Sequence, residues 1–100
     1  MLVDGMPALA KPENHMWTTT IMTYELGSLI RALVRAGVKS TYGDKDGEKS
    51  YLAEARIELA DLITQTRLLI EQMGWKQVDL ENDGEERFCE RMEELRNGTY

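Results

Sequence analysis

Between Glu48 and Met73 the chain runs without a Gly or Pro, repeats apolar side chains at three- and four-residue spacing, and stops at Gly74. That pattern dictates a long α-helix, with Gly74 as its left-handed cap and Trp75 folding back onto the last turn. A first helix is expected over about 13–36, opened by Pro12, whose missing N–H costs nothing there, and closed at Gly37. The intervening stretch VKSTYGDKDGEKS, with two glycines and alternating charge, reads as a mobile loop over 37–50. A third, shorter helix is expected to start near Asp79 or Asp83, where Asp83 and Glu86 have capping-box spacing, and to end before Gly98. Phe88, Met92 and Leu95 give it an apolar edge. No segment alternates over five or more residues between turn markers, so strands are not expected.

The expected architecture is therefore all-α, a helical bundle of two long antiparallel helices plus a shorter C-terminal helix. Residues 1–12 form an N-terminal tail and 13–97 a single helical domain, since 100 residues supply one core. Three helices leave much of the apolar surface of the two long ones uncovered in a single copy, so the core is expected to be completed by oligomerisation, as a homodimer or homotetramer.

The 12 basic and 18 acidic residues give a formal charge of -6, which sets the field of the whole molecule against a general nucleic-acid or anionic-membrane surface and favours a cation. Cys89 is the only cysteine, which removes internal disulfides and thiolate zinc cages and fits a reducing cytoplasm. The first fifteen residues carry Asp4 ahead of any base and lack the apolar run of a secretory leader, and nothing approaches the roughly 20 apolar residues of a membrane span. A cytoplasmic protein without membrane partners is expected.

The informative side chains are acids in the wrong place. At about 100° per residue, Glu54, Glu58, Asp61 and Gln65 form one polar line within about 60° of arc. Apolar Tyr51, Ile57, Leu62, Leu68 and Leu69 flank it on both sides, whereas Arg56, Ala60, Arg67 and Glu71 mark the solvent face. Glu25 on the first helix likewise shares an arc with Ile21, Met22, Leu29, Ala32 and Ala36. Carboxylates pointing at one another from two helices repel unless a cation or base lies between them. Mg²⁺ or Mn²⁺ suits an all-oxygen set of Glu25, Glu54, Glu58 and Asp61. The competing reading is that acids on helices serve solubility or pair with nearby arginines.

Tyr-Glu-Leu-Gly-Ser-Leu at 24–29, then Glu-Leu-Ala-Asp-Leu at 58–62 and a helix ending in Met-Gly-Trp, resemble the MazG-like branch of the all-α nucleoside-triphosphate pyrophosphatases, whose signature is Glu-x-x-Glu on one helix and Glu-x-x-Asp on the next. The likeness covers about residues 17–75, and more loosely GEERFCERMEEL at 84–95. It implies that Glu25, Glu58 and Asp61 are the catalytic metal ligands, that Mg²⁺ bridges the triphosphate of a bound nucleotide, and that a nucleoside monophosphate and pyrophosphate are the products. Ser28 stands where the family has its second glutamate, and Glu54, one turn before Glu58, is the acid placed to substitute. On the same reading Lys39, Lys45 and Lys49 in the loop and Arg87 and Arg91 on the third helix are candidates for phosphate contacts.

The other conspicuous residues read more plainly. His15 has no partner at zinc-ligand spacing, Cys89 has no histidine to activate it, and Trp17 and Trp75 fit a core or subunit interface better than a base stack. Two rival functions stand beside the hydrolase: a catalytically silent helical oligomer, marked by Ser28, and a phosphoribosyl-nucleotide pyrophosphatase of the same superfamily.

Overall fold

A computed structural model describes residues 9–98. A 3₁₀ turn, Pro12–Asn14, leads into α1 (His15–Thr41), followed by α2 (Lys45–Met73) and α3 (Gln77–Asn97). The described residues contain no strand. Most of the N-terminal tail expected at 1–12 lies outside the described residues. The Leu9 carbonyl at its end accepts hydrogen bonds from the Asn14 and Gln72 side-chain amides, tying the chain entry to the far end of α2.

α1 and α2 pack along their lengths as an antiparallel hairpin. The seam repeats every seven residues: Thr18 and Ala32 are buried on α1 with Glu25 midway, and on α2 Glu58, Gln65 and Gln72 follow the same step, Gln72 being buried. Near the turn the seam is built from Ala32, Ala36 and Ala55, whose small side chains let the helix axes approach. Arg35 also lies over the Tyr51 ring, 5.9 Å from its centroid, across this end.

The turn corrects the expected loop. α1 continues through Gly37 to Thr41, and α2 begins at Lys45 rather than Glu48, so only Tyr42–Asp44 lie outside helix. Glycine inside a helix costs about 1 kcal/mol relative to alanine, which a long packed helix absorbs. The reversal is made by Gly43, at φ 74°, and by Asp44, whose carboxylate accepts from the Gly47 N–H at 2.9 Å and pairs with Lys39 at 3.5 Å. A Cβ at Gly47 would come within 2.6 Å of that carboxylate, so the second glycine of the segment makes room for the cap instead of marking a loop.

The Gly47 N–H first, and then Lys39, hold the Asp44 carboxyl below its ordinary value. A depressed acid contributes stability that is present above its unfolded pKa and is lost as pH falls through the folded one. Asp44→Ala is accordingly expected to lower the thermal midpoint at neutral pH, with the gap to wild type closing under acid titration followed by circular dichroism.

The C-terminal helix also departs from expectation at its start. It begins at Gln77, ahead of both Asp79 and Asp83, and the Asp83–Glu86 pair sits inside it. Gly74, at φ 71°, ends α2, and Lys76 at φ -104° and ψ 129° is extended, so the chain turns and leaves. Beyond its first turns α3 packs on neither long helix. The radius of gyration is 17.3 Å, against about 13 Å for a compact chain of 100 residues. The extents of 46 × 41 × 22 Å agree: two helices side by side span only about 20–24 Å, so a second extent of 41 Å needs α3 to reach outward from the hairpin.

Candidate functional site

α1 carries a single acid, Glu25, together with Arg31, Arg35 and Lys39. An acid kept for solubility belongs on the outer face, yet this one occupies the seam between Thr18 and Ala32, both buried. Its side chain is half-buried, and Oε2 is shut off from solvent without a hydrogen-bond partner. Burial first, then the charge of Asp61, then that of Glu58, push its carboxyl above the ordinary carboxylate range. Two acids on α2 thus bear on Glu25 across the seam. Glu58 is half-buried and Asp61 exposed, so the three carboxylates run from the interior of the seam to its solvent edge.

Glu54 lies one turn before Glu58, is exposed, and is not among the charges that act on Glu25. Ser28, one turn after Glu25, is half-buried, and its Oγ accepts from the Arg31 guanidinium at 3.5 Å. Among the described residues no three His, Cys, Asp or Glu side chains stand close enough, as they lie, to hold a metal ion. What the seam offers is a set of hard oxygen donors, one of them unpartnered, that a cation could gather only through side-chain rotation.

The basic residues singled out from sequence do not gather there. Lys39 is in the last turn of α1 and paired with Asp44, while Lys45 and Lys49 occupy the exposed first turns of α2. Nine residues of helix, about 14 Å, separate Lys49 from Glu58. Arg87 and Arg91 line a shallow surface groove on α3 with Glu90 and Glu94.

Two residues stand out that the carboxylate reading did not single out as site members. Gln65 and Gln72 each hold an Oε1 sealed from solvent without a partner, although the Gln72 amide donates to Leu9 at 3.1 Å. The signal was present in the sequence as the seven-residue step from Glu58 to Gln65 to Gln72, which puts a polar side chain at the same seam position three times. His15 and Cys89 are exposed, as are Trp17 and Trp75. No known protein family matches the chain, and neither a curated protein nor a solved structure is significantly similar to it.

Proposed function

We propose that the chain is a Mg²⁺-dependent nucleoside-triphosphate pyrophosphohydrolase of the MazG-like type, acting in the cytoplasm as a homodimer or homotetramer. The observation that carries this reading is the unpartnered Glu25 oxygen in the seam, with the charges of Asp61 and Glu58 bearing on it. An acid placed so is a standing cost to the fold unless a cation offsets it. Glu25, Glu58 and Asp61 are the residues to hold Mg²⁺ or Mn²⁺, with Glu54 able to add a fourth carboxylate in place of the glutamate that Ser28 lacks. When bound, such a cation lowers the pKa of water and neutralises departing phosphates. Glu25 and Glu58 supply charge from inside the seam, and Asp61 at its edge faces arriving substrate. Water adds to the α-phosphorus, the bond to the bridging oxygen breaks, and pyrophosphate leaves a nucleoside monophosphate behind.

Pyrophosphate release from a panel of canonical and modified triphosphates, with and without EDTA, tests this. Release that needs the metal is expected, and phosphoribosyl-ATP in the same panel separates the phosphoribosyl-nucleotide reading. No release from any substrate by a folded protein overturns the enzyme. It moves the assignment to a silent assembly module, the reading that Ser28 at the position of a family glutamate favours. No described helix is long and apolar enough to cross a membrane.

A further inference from the structure

The outer face of α2 carries a second apolar row that the hairpin does not use. Leu52, Leu59 and Ile63 are 48%, 45% and 47% exposed, and Ile70 continues the row toward Trp75 and Leu80. On α3 the edge made by Phe88 and Leu95 is exposed at 62% and 53%. Most helix stability in proteins comes from packing an apolar face, so α3 needs a surface to fold against. The same chain leaves both surfaces bare.

The area at stake suits a second copy of the chain. The chain exposes 7999 Å², where a compact 11.5 kDa monomer exposes about 5,800 Å². The excess, about 2,200 Å² per copy, doubles to a value inside the range of about 2,000–5,000 Å² of obligate homodimers.

Length and charge agree with that occupant. The 21 residues of α3 span about 31 Å and the row from Leu52 to Ile70 about 27 Å. Lys45, Lys49, Arg56 and Arg67 fall within about 40° of arc along one flank of the row. None of them forms an ion pair among the described residues. Glu81 and Glu85 lie along the apolar edge of α3, and with the helices antiparallel and Phe88 level with Ile63 these acids come to the side and level of Arg67.

We infer that α3 is an exchanged arm: its Phe88–Leu95 edge lies antiparallel along the Leu52–Ile70 row of a second copy, and that copy's α3 does the same in return. The exchange presupposes the self-association proposed above and nothing about catalysis, so the test reads geometry and not turnover.

The test is a full-length chain carrying Cys89→Ser, Phe88→Cys and Ile63→Cys, oxidised and resolved on a non-reducing gel, beside wild type in sedimentation. Both positions are exposed in the single copy, so the hairpin should fold unchanged. The expected result is a wild-type dimer and a disulfide-linked dimer of the variant. A control pairing Phe88→Cys with Thr64→Cys, about 100° around α2, should give little of it. An intrachain disulfide shows α3 closing on its own α2 and overturns the exchange. Absence of any disulfide overturns it too, as does equal cross-linking of the control or a monomeric wild type. If a variant loses helix content, Phe88→Ser in the otherwise native chain decides instead. Dimerisation weakened about tenfold or more is expected if Phe88 is buried by the partner, and unchanged dimerisation rejects the model.

Discussion

Glu58→Gln is expected to reduce metal-dependent pyrophosphate release by at least about 100-fold, since even outer-shell partners of metal ligands are worth about 10- to 100-fold. The substitution keeps the shape of the side chain and one oxygen while removing the charge. Helix content should hold, because Glu58 forms no ion pair among the described residues. Asp61→Asn should behave in the same way from the exposed end of the cluster. Glu54→Gln is the informative comparison: Glu54 is exposed and lies a turn from the charges that bear on Glu25, so as a supplementary fourth carboxylate it should cost about tenfold or less, short of the loss at Glu58 or Asp61. Release that survives in both Glu58→Gln and Asp61→Asn, measured with the same substrate and excess Mg²⁺, removes the seam as the active site.

The helical character of the chain was plain in its sequence because apolar spacing and the stop at Gly74 act locally, and α2 ends where they say it should. Gly37 and the two glycines of the 38–50 segment misled for a related reason. A glycine states what a backbone is permitted to do, and which permission is used depends on contacts made elsewhere. Gly37 stays helical at the packed Ala32 and Ala36 end of the seam, Gly43 turns left-handed, and Gly47 makes room for the Asp44 cap. The inward direction of Glu25 could be read from its arc alone. That Asp61 and Glu58 act on it, while Glu54 does not, depends on the register of the hairpin, which a three-residue turn sets and the sequence presents as a long loop. The outward course of α3 had no sequence signal, because Lys76 takes its extended conformation without a Pro or Gly to require it.

Glu25→Gln separates the fold from the site, because the same carboxylate burdens the first and serves the second. A raised carboxyl pKa means that the folded chain holds this proton to a higher pH than the unfolded chain does. Below the ordinary glutamate range both states are protonated and no penalty exists. As pH rises past the unfolded value the unfolded chain ionises first, so the wild type loses stability relative to the variant until the folded group ionises as well. In EDTA, Glu25→Gln should therefore melt higher than wild type at neutral pH, and the gain should shrink to nothing on acidification. For a half-buried group the scale is about 1 kcal/mol, which in a chain of this size is about 4–8 °C. Adding Mg²⁺ should reverse the order. A cation at about 100 times its dissociation constant contributes about 2.7 kcal/mol to the chain that binds it and much less to the one that lacks the ligand. Thermal scans at two pH values, with EDTA and with Mg²⁺, thus yield four differences of which two must change in opposite senses. A variant that melts higher but ignores Mg²⁺, beside a wild type that ignores it too, leaves Glu25 a misplaced acid and takes the metal out of the seam.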